Sequence, residues 1–240
     1  MNYRFFNPWR NITKYSNTLR SLRSDSNLEL FITSTCNQKC EYCYLQKYPE
    51  LYPKEYNQPD LILKNLDILL NYIRLNDYDI PSVSLFTGDI WTTKFGWDVL
   101  EKIYQHLLLG LKFRSIILPS NCSFVNDAIA VQKMQQYIDK FKKINCPIII
   151  SISIDGKIID SKIRPRNNSN DSYTDEFYSR VGAFARYNDF LFHPMVSPSN
   201  VKYWKENYEW WSEYLKYYGY DLDAIMMLEV RDANWTEENI

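Results

Sequence analysis

Six runs of apolar, β-branched or aromatic residues recur along the chain with helical patterns between them. No other feature constrains the fold as much. The runs are Leu28–Thr33, Val83–Thr87, Ser115–Pro119, Ile148–Ile154, Phe190–Val196 and Ala224–Val230. They start roughly 30–55 residues apart, and a strand–helix–strand unit needs about 30 residues, so each gap holds one crossover helix. Helical patterns cover Leu61–Leu75 after Pro59, Trp97–Leu111 with Gly110 near its end, Asp127–Ile144 with Asn126 as the expected cap, Thr174–Tyr187, and Asn200–Tyr218 after Ser199. Alternating strands and helices imply an α/β fold with a parallel sheet. The alternation alone is compatible with both a partial (β/α)6 TIM-like barrel of parallel strands and an open doubly wound sheet. In either architecture the loops at the C-terminal ends of the strands build the active site.

Chemically loaded residues fall in those loops. Thr35, Cys36, Cys40 and Cys43 follow the first run, and Gly88-Asp89 follows the second. Asn121-Cys122 follows the third, Ser153 and Asp155 close the fourth, Ser197–Asn200 follows the fifth, and Glu229, Arg231 and Asp232 end the sixth. The chain has 240 residues, with 45% hydrophobic and 24% charged, an ordinary globular composition. Its net charge of −1 sets up no global field for nucleic acid, and no run is long enough to span a membrane. Residues 1–27 read as a basic lead-in carrying Arg4, Arg10, Lys14, Arg20 and Arg23, and residues 28–240 read as one core domain. Near the C-terminus, Thr236 before Glu237 and Glu238 looks like a helix start. A sixth crossover helix is therefore expected to be truncated here, or supplied by an extension or a partner.

The chain has 5 cysteines, three of them in Cys36-x-x-x-Cys40-x-x-Cys43. The odd count and the clustering do not suit a secreted disulfide framework; they fit a reducing, cytoplasmic setting in which clustered thiols bind metal. Cysteine thiolates hold iron–sulfur clusters, usually four to a cluster, so three leave one iron open to a cofactor or substrate. A structural zinc site needs a fourth ligand, and no Cys or His follows Cys43 until His106. Cys122 and Cys146 read as buried apolar residues, and His106 as a surface residue.

The stretch Cys36–Tyr44, CNQKCEYCY, resembles the C-x-x-x-C-x-φ-C signature of the radical S-adenosylmethionine (SAM) superfamily, with Tyr42 at the aromatic position. The resemblance extends to Asn234. It is strongest to the branch of anaerobic sulfatase maturases and peptide-modifying enzymes, although no cysteine after Cys146 matches that branch's auxiliary-cluster extension. It implies a partial barrel in which Cys36, Cys40 and Cys43 hold a 4Fe–4S cluster. The open iron of that cluster binds SAM, and one electron cleaves SAM to a 5′-deoxyadenosyl radical. Thr87-Gly88-Asp89 resembles the Gly-Gly-Glu motif that receives the SAM amino group, departing from it at Thr87 and Asp89. Asn121 is similar to an Asn after the third strand, Ser153-x-Asp155-Gly156 to a stretch linked to the SAM ribose and carboxylate, and Asn200 to the end of the fifth strand. Asp160…Arg164 resembles an element whose arginine reaches that carboxylate, with Arg166 as the second candidate. The implied partners are a reductant such as flavodoxin or ferredoxin and a peptide, protein or small-molecule substrate.

Period-2 alternation puts Leu191, His193 and Met195 on one face of the fifth strand and Met227, Glu229 and Arg231 on one face of the sixth. His193, Glu229 and Arg231 are the candidates for substrate contact. Two alternatives remain: a non-catalytic or partner-dependent iron–sulfur or zinc module of the same fold, and an activase that makes a glycyl radical on another protein. The helix around Trp204, Trp210 and Trp211 is aromatic enough to pack on the sheet with one face and meet a partner with another.

Overall fold

The computed structural model describes residues 27–52, 57–164, 173–230 and 235–236. Nine strands and seven α-helices alternate along them. The strands are β1 (Leu28–Phe31), β2 (Asp79–Ile80), β3 (Val83–Phe86), β4 (Lys112–Phe113), β5 (Ile116–Ser120), β6 (Ile148–Ile152), β7 (Phe190–Phe192), β8 (Met195–Val196) and β9 (Leu228–Glu229). The helices are α1 (Tyr44–Lys47), α2 (Pro59–Leu75), α3 (Lys94–Leu108), α4 (Ala128–Lys143), α5 (Lys157–Ile163), α6 (Asp175–Ala185) and α7 (Trp204–Tyr218). A five-stranded parallel sheet in the order β1-β3-β5-β6-β7 forms the centre, the arrangement of a partial TIM-like barrel.

The two faces of this sheet differ in burial. Leu30, Val83, Leu85, Ile116, Ile148 and Ile150 point to the helix-covered face and are 5% exposed or less. The helices meet them with residues spaced three or four apart: Leu66, Leu70 and Ile73 on α2, and Met134, Ile138 and Phe141 on α4. The alternate residues form the concave inner face, which is more open; Phe31 is 37% exposed there. Register fixes their rows. Phe31 stands beside Phe86, and Pro119, Ser151 and Leu191 stand side by side. Extending the same pairings by two residues gives a second row of Thr33, Gly88, Asn121, Ser153 and His193. Ladder bonds continue to this level, from Gly88 N to Thr33 O (2.8 Å), Ser153 N to Ser120 O (2.7 Å) and His193 N to Ile152 O (2.8 Å).

Several expectations are corrected. The fifth run is two strands, not one. Pro194 has no N–H to donate, and the Met195 amide turns to Asp155 Oδ1 at 2.7 Å, so β8 leaves the central sheet and pairs with β9. The sixth run begins as a 3-10 turn at Leu222–Ala224 and meets the central sheet through the single bridge Phe192–Ile225. A small parallel sheet of β2 and β4 was not foreseen. Asp127, rather than Asn126, caps α4, accepting from the Ile129 and Ala130 amides. Thr93 caps α3, which starts three residues earlier than its apolar pattern suggests. The Asn200 helix opens as a 3-10 turn before α7. His106 is buried at 6% exposure, its ring bonded to Asp67 of α2 at 3.0 Å. Cys122 and Cys146 are buried, as expected. Most of the lead-in, Arg166, Arg231 and residues 237–240 lie outside the described residues, as does the Glu229 side chain.

Candidate active site

The loop from Ile32 to Cys43 crosses the C-terminal edge of the sheet. Its approach to the end of β3 depends on Gly88, where an added Cβ would lie 1.8 Å from Thr35 O. Only glycine permits that contact. Cys36, Cys40 and Cys43 are free thiols of intermediate exposure. The Gln38 amide points to Cys36 Sγ at 3.4 Å, and Asn121 Nδ2 lies 3.9 Å from the same sulfur. N–H donors aimed at sulfur favour thiolate over thiol. Burial, with Asp89 adding to it, raises the Cys36 thiol above its ordinary value, and burial pushes Cys40 up to about 12 against the opposing pull of Arg164. Metal ligation would reverse that balance by displacing the thiol proton, which is released. Three free thiols on one loop, with two amide donors at the Cys36 sulfur, fit a cluster bound through three cysteines. Among the described residues, no group of three or more His, Cys, Asp or Glu side chains is gathered around a single ion.

On one side of the loop stands Asp89. Its Oδ2 accepts from Ser120 Oγ (2.9 Å) and the Asn121 amide (2.7 Å), and Oδ1 faces the Trp91 amide at 3.4 Å. This carboxylate ties the end of β3 to the end of β5. The hydroxyl of Thr87 is directed at Thr33 O (3.3 Å). Asn121 Nδ2 also reaches Asn37 Oδ1 at 2.7 Å, so the Asn after β5 touches the cysteine loop directly.

On the other side lies a buried polar network at the end of β6. Tyr42 Oη donates to Asp155 Oδ2 at 2.6 Å, and Arg164 Nη1 reaches Tyr42 Oη at 3.1 Å and Asp155 Oδ1 at 3.4 Å. Asp160 Oδ1 accepts the Asp155 amide, and its Oδ2 accepts the Gly156 amide and the Tyr178 hydroxyl. Gly156 has φ 108°, and a Cβ there would meet Asn207 and Trp211, whose side chains both donate to Asp155 O. Burial pushes the Asp155 carboxyl up, while Arg164, the Met195 amide and the Tyr42 hydroxyl oppose it. Burial also raises Asp160, to about 6. Burial works against the Arg164 charge, but Tyr42, Cys40 and Asp155 hold it firmly protonated.

The structure thus gathers Tyr42, Gly88, Asp89, Asn121, Asp155 and Arg164 around the cysteine loop. Ser153 enters through its place in the second inner row. His193, the next residue in that row, bonds Ser151 at 2.7 Å through Nδ1, while Nε2 is buried without a partner, and burial lowers its pKa. Gln38 in the loop after β1 and Ser120 at the end of β5 join the site, and so do Tyr178, Asn207 and Trp211, which no motif marked. The i,i+4 spacing of Asp160 and Arg164 was the one local hint of the buried ion pair.

No family model matches the chain, and no curated protein matches it. Solved structures do. Native anSMEcpe with bound AdoMet and Cp18Cys peptide superposes with a TM-score of 0.60 at 17% identity, over 88% of this chain and 53% of that one. Native anSMEcpe with bound AdoMet gives 0.60 at 18% identity, over 88% and 54%. anSMEcpe is an anaerobic sulfatase maturase, a radical SAM protein. The chain shares the fold of these structures. It spans about half the length of the solved structures it matches. In this shared fold the cysteine loop leaves the edge strand β1, and the polar groups above converge on it from β3, β5 and β6. Among the described residues, no helix is long and apolar enough to cross a membrane.

Proposed function

We propose that the chain is a radical SAM enzyme acting on a peptide, protein or small-molecule substrate. The observation that carries this reading is the convergence of Asn121, Gly88 and, through Tyr42, Asp155 on a loop bearing three free thiols at the C-terminal edge of a parallel sheet. Cys36, Cys40 and Cys43 would hold a 4Fe–4S cluster, which when reduced supplies the electron that cleaves SAM to the 5′-deoxyadenosyl radical.

The rest of the work belongs to the protein. Asp89 offers a carboxylate to the SAM ammonium, with its orientation set by Ser120 and the Asn121 amide. Asn121 positions Asn37 and the Cys36 sulfur. Thr87, Ser153 and Asp155 line the same edge as cofactor contacts, Asp155 through the Tyr42 hydroxyl that it fixes. His193, Glu229 and Arg231 are assigned to substrate. A flavodoxin- or ferredoxin-like reductant would reach the cluster in a reducing cytoplasmic compartment.

Anaerobic reconstitution with iron and sulfide, followed by SAM and dithionite, should yield 5′-deoxyadenosine by chromatography. A fully loaded protein that makes none overturns the enzyme reading. Cys40→Ala should lose both iron and product, and a variant that keeps its full iron content removes Cys40 from the ligand set.

A further inference from the structure

Gln38 lies between two of the cysteines and is 2% exposed. Its Oε1 faces Cys40 Sγ at 3.4 Å and accepts from Arg164 Nη2 at 3.3 Å. Its Nε2 donates to Tyr173 Oη at 2.7 Å, and its carbonyl accepts from Gln46 Nε2 at 2.7 Å. Arg164 is 3% exposed. One arm of its fork serves Gln38, and the other serves Tyr42 and Asp155. Its Nε faces Asp160 Oδ1 at 3.6 Å without a hydrogen bond. A SAM carboxylate needs two parallel N–H groups of such a fork. Here Nη1 and Nη2 each already serve a protein acceptor, Nε is turned to Asp160, and the group is sealed beneath the cysteine loop.

We propose that Arg164 is a brace for the cysteine loop and not a ligand of SAM: through Gln38 and Tyr42 it holds Cys40 against the end of β6, and its charge raises the reduction potential of the cluster those cysteines hold. This rests on the radical SAM reading and deepens it. A cluster gains negative charge on reduction, and a guanidinium fixed nearby in a dry site stabilises the reduced form. The amide of Gln38 stays turned toward Arg164 whether or not Cys40 carries its proton, because only Oε1 can accept from the guanidinium. Gln38 and Arg164 are positioning residues.

The test compares anaerobically reconstituted wild type with Arg164→Gln, Arg164→Lys and Gln38→Leu. Three readouts are followed: iron loss to a ferrous chelator, cluster midpoint potential by EPR-monitored titration, and SAM affinity by equilibrium dialysis. Arg164→Gln should lose iron about tenfold faster, as outer partners of metal ligands commonly do, and its midpoint should move to more negative potential. Arg164→Lys keeps the charge without the fork, so it should recover the potential but not the retention. Gln38→Leu should lose retention while SAM affinity stays at the wild-type value. Variants with wild-type retention and potential, together with weakened SAM binding in Arg164→Gln, would make Arg164 a SAM ligand and end the proposal. Wild type that takes up no iron overturns the radical SAM reading itself. If Arg164→Gln does not fold, the lysine and leucine variants decide.

Discussion

Asp89 and Asp155 end two strands of one sheet and flank the same cysteine loop, yet they are built differently. Asp89 is held by a hydroxyl and two amides. Asp155 is enclosed by an arginine, a tyrosine hydroxyl and an amide, and is 0% exposed. A hydroxyl and amides orient a carboxylate without neutralising it, whereas a buried guanidinium neutralises it and ties it into the scaffold. Asp155 therefore reads here as a joint between segments that acts on the cofactor only through Tyr42, and Asp89 of the Gly-Asp turn as the cofactor-facing acid.

The largest way to break this contrast is Asp155→Ala. It strands Arg164 in the interior, and chemical denaturation should show a loss on the order of 3–5 kcal/mol. The same network should respond to pH through Asp160. Its folded pKa is raised to about 6, above that of the unfolded chain. The folded form therefore binds more protons between those values. Its contribution is fully present below the unfolded pKa and is lost as pH rises through about 6. The size is on the order of 3 kcal/mol, from ~1.4 kcal/mol per pKa unit. Denaturation midpoints measured across that range should fall, and Asp160→Asn should flatten the slope; an unchanged slope would place the titration elsewhere. Asp89→Asn is the mildest change. It keeps the shape and most hydrogen bonds but removes the charge, so stability should hold while SAM affinity drops about tenfold, the loss of one charge-assisted contact. An unaltered dissociation constant would remove Asp89 from the cofactor site.

Much of this was legible in the chain because it is local. The cysteine spacing, the Gly-Asp turn and the strand runs each sit within a few residues. What stayed hidden depends on contacts between distant segments. Gln38 has no meaning by itself, and its role appears only when Arg164, far along the chain, folds beneath it. His106 read as a surface residue because nothing near it in sequence reveals that Asp67 on a neighbouring helix will cover it. The division of the fifth run hangs on Pro194 combined with a carboxylate from β6. β2 and β4 have two residues each, too short to show any period.

The second inner row carries one residue from each of five consecutive positions across the sheet: Thr33, Gly88, Asn121, Ser153 and His193. Each is anchored by its own strand, and the ladder beneath uses only main-chain groups. The row is modular. If β3, β5 and β6 serve the cofactor, the position at β7 can be exchanged in evolution, or by design, without disturbing the others. On the proposed function, a lineage could then change the substrate by rewriting His193 and the segments after it while the residues assigned to SAM stay in place.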